Sequence, residues 1–298
     1  MGKSTEGWVP GILGVAIFSG SLPATRLAVA GFDPLFLTVA RASIAGLLAA
    51  CILLACRQRL PARSDLTSLL IVSLGVVVGF PLLTALALQH LSAARAIVFI
   101  GLLPLSTALF AVLRGGERPH PAFWLFAGLG SLLVAGFALA HSEGGTGAGD
   151  LAMLLAILVC GLGYAEGGQL SRRLGGWQVI SWALVLSLSP MLLLTFLDWP
   201  ASFAQVGPSA LGGLLYVSLF SMLIGFIFWY RGLARGGIAA IGQLQLLQPF
   251  MGLALAALIL DDRVTWPMLA TTFAVIACVA AARRYGVQRR AGQAERSS

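Results

Sequence analysis

Charge is what this sequence has least of. Asp, Glu, Lys and Arg make up 10% of its 298 residues, and the mean hydropathy is +0.93. A water-soluble globule carries about 25% charged residues. Water is therefore excluded as the solvent for most of this chain, and a lipid bilayer takes its place. Histidine is scarce: His90, His120 and His141 all fall near the ends of apolar runs, which leaves no histidine-rich metal site. The four cysteines, Cys51, Cys56, Cys160 and Cys278, lie inside apolar runs with no C-x-x-C spacing. They read as small hydrophobes rather than ligands or disulfides. Paired acids within apolar runs and a nucleophile–base pair are also missing, which counts against a membrane enzyme. No G-x-x-x-x-G-K-[ST] occurs, so ATP does not drive the protein directly and no cofactor is called for. Strand-like alternation is absent, which excludes a β-barrel. The net charge of +8 sits in short loops between apolar runs, so it reads as membrane orientation rather than nucleic-acid binding.

What is present is a series of apolar runs of about 20 residues, the length that crosses a hydrocarbon core of ~30 Å. Ten can be placed, at 8–29, 34–56, 66–90, 94–114, 121–140, 150–171, 176–197, 209–230, 237–260 and 265–282. Turn residues such as Gly31–Pro34, Gly115-Gly116, Gly175-Gly176 and Gly236-Gly237 separate them. Ala28-Val29-Ala30 has the look of a signal cleavage site. It lies too far along and follows too little positive charge, so the first run reads as a retained helix. With the N-terminus in the cytoplasm, 15 of the 19 Lys and Arg fall on the cytoplasmic side, the C-terminal tail included. The opposite loops hold Asp33, Glu143, Asp150, Asp198, Asp261 and Asp262. This is the positive-inside asymmetry of a multi-pass protein of the inner (cytoplasmic) membrane with both termini inside.

The chain also repeats itself. Pro104, Glu117 and Arg118 return as Pro249, Asp262 and Arg263, each 145 residues on. Half of ten helices is five, an odd number, so two copies of a five-helix unit must insert with opposite orientation. The units are 1–141 and 150–285, joined by a Gly-rich linker and followed by a basic tail at 286–298. The expected fold is all-α, with ten transmembrane helices in two inverted five-helix repeats, and a single chain suffices for it.

Several stretches carry a resemblance. Arg41 lies in "LTVARASIAGLLAACILL". The runs "LLPLSTALFAVLRGGERPHPAFWLFAGLGSLLVAGFAL" and "LLQPFMGLALAALILDDRVTWPMLATTFAVIACVAA" follow the same plan. They resemble the EamA-type repeat of the drug/metabolite transporter superfamily. That repeat has an arginine in its second helix, a proline midway along its fourth and an acid-led turn before its fifth. The resemblance implies a ten-helix exporter or exchanger of small metabolites. Within the superfamily the chain is most similar to the YddG-like exporters of aromatic amino acids. Two departures stand out. Asp262 replaces the glutamate the family prefers, and "VISWALVLSLSPMLLL" in the second unit lacks an arginine.

Transport needs a cavity, polar groups to line it, and helices that bend. Pro104 and Pro249 fall about 16 Å along their helices, near the midplane. With Pro23 and Pro81 they are candidate hinges, although membrane helices carry extra proline in any case. Gln243, Gln245 and Gln248 share one uncharged helix. Gln245 and Gln248 lie on one face and Gln243 nearly opposite. Gln245 and Gln248 are candidate substrate contacts, and interhelical hydrogen bonding is the alternative. Glu166 could couple protons or hold a substrate amine. Its nearness to Arg172 and Arg173 reads more simply as a solvated or salt-bridged helix end. Arg41, roughly 10 Å inside the outer edge, could meet a substrate carboxylate, Asp33 or helix-end carbonyls. Tyr164, Phe80, Phe226, Trp229 and Tyr230 could stack a flat substrate. Trp229 and Tyr230 lie near a helix end and read also as interfacial belt, as do Trp8, Trp124, Trp177, Trp199 and Trp266.

These residues predict a secondary transporter that exports small amphipathic metabolites, with aromatic or apolar amino acids first, by alternating access. An exchanger of phosphorylated or nucleotide-linked sugars is the alternative, for which Arg41 is the one deep cation.

Overall fold

The computed structural model describes residues 6–88, 90, 99–140, 147–200, 202–203, 206–260 and 266–286. Among these residues there is no strand. The helical tracts are α1 (Trp8–Val29), α2 (Pro34–Ala55), α3 (Arg63–Val72, Ser73–Gly79 and Phe80–Leu88), α4 (Leu103–Leu113), α5 (Pro121–Ala140), α6 (Gly147–Leu174), α7 (Gly176–Leu197), α8 (Pro208–Gly236), α9 (Ile238–Gly242, Gln243–Leu247 and Gln248–Leu260) and α10 (Trp266–Tyr285). α1, α2, α3, α6, α7 and α8 are each long and apolar enough to cross a bilayer, and α4 and α5 are shorter apolar helices. Outward faces carry large apolar side chains such as Leu54, Leu132, Phe196 and Phe273. In lipid these need no cover.

The offset of 145 recurs in the structure. α3 starts at Arg63 and α8 at Pro208. α5 spans Pro121–Ala140 and α10 spans Trp266–Tyr285, so both ends match. The wider π-helical turn, with hydrogen bonds five residues back, occupies Ser73–Gly79 of α3 and Val217–Ile224 of α8. Pro81 follows the first of these, but no proline follows the second.

The two halves run opposite ways. At the basic end α1 begins and α6 finishes. There Arg283 of α10 stacks over Trp8 at 4.6 Å, the His120 N–H donates to the Tyr285 carbonyl at 3.0 Å, and Arg173 of α6 pairs with Asp65 of α3. A cavity of about 470 Å³ brings the loop Arg57–Ala62 against Leu174 of α6 and Trp182 of α7. At the other end α2 begins and α7 finishes, with Phe36 and Trp199 ring to ring at 5.9 Å. Helices that correspond in sequence are thus antiparallel in space.

Packing follows the same symmetry. α2 packs on its counterpart α7, and α5 on its counterpart α10. The α1–α8 contact is mirrored by the α6–α3 contact. Both mirrored seams are built on glycine. A Cβ on Gly232 of α8 would stand 2.8 Å from the Cα of Gly11 of α1. A Cβ on Gly75 of α3 would meet the Val159 carbonyl of α6 at 2.5 Å. Lipid tails are as apolar as leucine, so membrane helices associate through such close backbone approach rather than hydrophobic sorting.

All four predicted hinge prolines occupy the first turn of a helix that has just resumed. Pro104 is the second residue after a turn at Gly101-Leu102. Pro249 is the second residue after the 3-10 run Gln243–Leu247. Pro23 is the third after Gly20, and Pro81 the second after the π turn. A proline has no N–H to continue the hydrogen-bond ladder, so each falls where a helix starts or its winding changes. The winding is therefore broken or altered just before these prolines, where the sequence predicts bends midway along continuous helices. Pro190, by contrast, sits inside the continuous α7.

Candidate functional site

Where α1, α6, α8 and α9 meet, the residues form an aromatic cage. The Tyr164 ring of α6 lies edge-on to Trp229 at 5.5 Å and to Phe226 at 6.0 Å, both from α8. Phe18 of α1 closes it, 5.0 Å from Phe226 and 6.2 Å from Trp229. α9 supplies the polar member: Gln245 Nε2 donates to the Tyr164 hydroxyl at 3.2 Å. Gln245 can do so because Gln243–Leu247 is wound as a 3-10 helix, which sends successive side chains to three different neighbours. Leu244 faces Gly11 of α1, Leu246 faces Gly130 of α5, and Gln245 faces α6. All five cage residues are buried. Gln245 Oε1 and Trp229 Nε1 nevertheless have no hydrogen-bond partner among the described residues. A buried amide oxygen or indole N–H without a partner is costly. One acceptor and one donor thus remain uncommitted beside a sleeve of aromatic faces.

Other sequence candidates fall around this cage. Gln248 lies three residues beyond Gln245, half-buried, where α9 resumes its α-helical winding. Gln243 is fully buried, and neither of its amide atoms has a partner among the described residues. Arg41 is half-buried in α2 and its Nε has no partner among the described residues. It does not pair with Asp33, whose carboxylate instead caps α2 by accepting from the Leu35 and Phe36 N–H groups. Phe80 is half-buried at the end of the π turn, and no ring contact joins it to the cage. Asp262 and Arg263 lie outside the described residues. The belt reading of Trp229 and Tyr230 is corrected: both are 0% exposed. Glycines on neighbouring helices make the room, Gly14 of α1 against the Trp229 backbone and Gly167 of α6 against the Tyr230 ring. Trp199 and Trp266, at the far end from the arginines, are exposed as a belt requires.

Glu166 is an ion-paired group, but not to the arginines two turns away. It is 4% exposed and accepts from Arg114 Nε of α4 and, at 2.9 Å, from Ser68 of α3. Arg172 reaches Glu117 at 2.7 Å, and Arg173 reaches Asp65. Glu117 also accepts from the Ile238 and Ala239 N–H groups at 2.8 and 2.9 Å, so it caps α9 from another loop. Asp65 and the capping role of Glu117 escape the sequence reading. The only hint is an acid beside each basic loop.

Residues 7–139 match the EamA-like transporter family, and residues 147–283 match it again. The chain belongs to the EamA-like transporter family. A Bacillus subtilis (strain 168) relative, the uncharacterized transporter YdeK, is 68% identical over 285 residues, or 96% of this chain and 99% of its own. A solved structure described only as a crystal structure of a protein shares 20% identity. It superposes with TM-score 0.76 over 95% of this chain and 98% of its own, and so supports the fold. In this EamA transporter each of the three ion pairs among the described residues links one family unit to the other, since Asp65, Arg114 and Glu117 lie in the first match and Glu166, Arg172 and Arg173 in the second.

Proposed function

We propose that this transporter exports aromatic or other apolar amino acids across the inner (cytoplasmic) membrane by alternating access, with its basic end and both termini in the cytoplasm. The single observation that carries the reading is the cage of Phe18, Tyr164, Phe226 and Trp229 with its uncommitted Gln245 Oε1 and Trp229 Nε1. Aromatic faces suit a flat apolar side chain, and a few fixed polar groups suffice to orient its amino and carboxyl groups. Arg41 and Gln248, half-buried in α2 and α9, add a cation and an amide for the carboxylate. Phe80 adds a further apolar wall.

In this conformation the cage is filled by its own side chains. Substrate must enter by parting the helices, and the breaks before Pro104, Pro249, Pro23 and Pro81 are where the helices bend. The ion pairs joining the two repeats keep the basic end closed. The protein is a carrier in this reading, not a catalyst.

Counterflow of labelled tryptophan into proteoliposomes tests this, with labelled sugar phosphate as the competing substrate and with and without a pH gradient. Tryptophan is expected to exchange. Gln245→Ala is expected to slow the exchange about tenfold, the effect of losing one hydrogen bond of ~1.4 kcal/mol. Sugar-phosphate exchange without tryptophan exchange would favour the exchanger reading instead. Unchanged exchange in Gln245→Ala would remove that residue from the site.

A further inference from the structure

Glu166 lines a second cavity at the basic end, separate from the one of about 470 Å³ that Asp65 lines. The cavity holds about 320 Å³ and is lined by Ser68, Arg114, Glu166, Gln169, Leu170 and Arg173. That volume lies at the lower end of small-molecule sites, roughly 300–1,000 Å³. The aromatic cage holds none of these residues, although Glu166 follows Tyr164 by only two positions on α6.

The charges in the cavity are arranged unevenly. The Glu166 side chain is 5% exposed, while that of its partner Arg114 is 51% exposed. Each Glu166 oxygen has one partner, Arg114 Nε on Oε1 and Ser68 Oγ on Oε2. The Arg114 Nη nitrogens make no hydrogen bond among the described residues. Arg173 uses one Nη on Asp65 and makes no other hydrogen bond among the described residues. Taking the cation away from a buried acid is costly unless another cation replaces it. Returning a half-exposed arginine to water is not.

We propose that this cavity is a loading site for a zwitterionic α-amino acid, distinct from the cage. The substrate ammonium takes the place of Arg114 on Glu166, and the substrate carboxylate takes the freed guanidinium of Arg114 together with Arg173. The exchange conserves charge on both sides: one cation replaces another at Glu166, and one carboxylate replaces another at Arg114. An anion alone cannot make it, because it would leave Glu166 buried without a cation. An amine alone makes only half of it. Occupancy parts Arg114 from Glu166 and so undoes one of the ion pairs that hold the two repeats together. Loading the site thereby loosens the closed basic end. This inference rests on the amino-acid reading above and deepens it.

Protection of a single thiol tests it. Gln169 is exposed on the cavity wall. Gln169→Cys is placed in a chain with Cys51, Cys56, Cys160 and Cys278 changed to alanine, and tryptophan counterflow is measured in the same preparation. Tryptophan is expected to slow alkylation of the new thiol by a hydrophilic maleimide about tenfold when present well above its dissociation constant. Tryptamine is expected to protect less, and indole-3-propionate not at all. Adding Glu166→Gln, of nearly the same shape, is expected to abolish protection by tryptophan. If tryptophan exchanges but gives no protection, or if indole-3-propionate protects equally, the loading site is wrong and the exporter reading stands. Equal protection by tryptamine would remove Arg114 and Arg173 from the site. If tryptophan neither exchanges nor protects, the exporter reading falls and the loading site with it.

Discussion

Replacing Glu117 with alanine is expected to lower the unfolding midpoint of the detergent-solubilised transporter by roughly 5 °C. α9 starts at Ile238, and the residue before it is Gly237, at φ 91°, with no side chain to cap the helix. The first N–H groups of a helix have no partner within it. Here the Ile238 and Ala239 N–H groups both donate to the Glu117 carboxylate, which comes from the α4–α5 loop and also holds Arg172. Hydrogen bonds to a charged group contribute about 1.5–3 kcal/mol each, and losing a helix cap costs about 0.5–2 kcal/mol. These contributions overlap, so a net loss of about 3 kcal/mol is expected, equivalent to roughly 5 °C for a chain of this size. Glu117→Gln retains one acceptor oxygen and should fall between alanine and wild type. Arg172→Ala should cost about 1 kcal/mol or less, because Arg172 is 39% exposed. A Glu117→Ala midpoint within about 2 °C of wild type would show that the cap is not what anchors α9.

The second large effect is expected at Gly167. A Cβ there would lie 2.3 Å from Cε1 and Cζ of the Tyr230 ring and 2.6 Å from its oxygen. The ring cannot retreat. Tyr230 is fully buried, its hydroxyl donates to the Gly163 carbonyl at 3.2 Å, and Phe226 lies 5.5 Å away. Overpacking of this kind costs about 1–3 kcal/mol. It outweighs the ~1 kcal/mol that alanine would gain over glycine inside a helix. Gly167→Ala should therefore destabilise the transporter, whereas helix propensity alone predicts the reverse. The cost should be largely relieved in a Tyr230→Leu background. A double-mutant cycle should show a coupling of about 2 kcal/mol. Additive effects of the two substitutions would contradict the contact.

The sequence shows well what lipid imposes. Apolar runs of fixed length, most arginines in alternate loops, and a proline and an acid repeated at 145 residues lead directly to ten helices in opposed halves. The interruptions were harder to read. Pro104 and Pro249 look like mid-helix kinks in a one-dimensional run. In three dimensions each opens a new helix, and what precedes them is a turn in one case and a 3-10 run in the other. The π turn at Val217–Ile224 has no proline after it, so nothing local announces it. The burial of Trp229 and Tyr230 depends on Gly14 and Gly167, which lie on other helices, and only packing brings them together. Glu166 shows the same limit. Sequence proximity pointed to Arg172 and Arg173, but the partner is Arg114, 52 residues earlier in the other repeat. Gln245 was legible because an amide in an uncharged helix demands an explanation. The face it presents depended on a winding that the pattern does not reveal.

The account depends most on the basic end being shut by contacts between the two repeats that must separate for substrate to pass. Asp65 of α3 and Arg173 of α6 touch across that junction. With cysteine at both positions, and the native cysteines removed, a short bis-thiosulfonate should bridge them. The bridged transporter should lose tryptophan counterflow, and reduction should restore it to the level of the unbridged double variant. Undiminished counterflow in fully bridged protein would contradict the account, because the two repeats would then carry substrate without parting at that end.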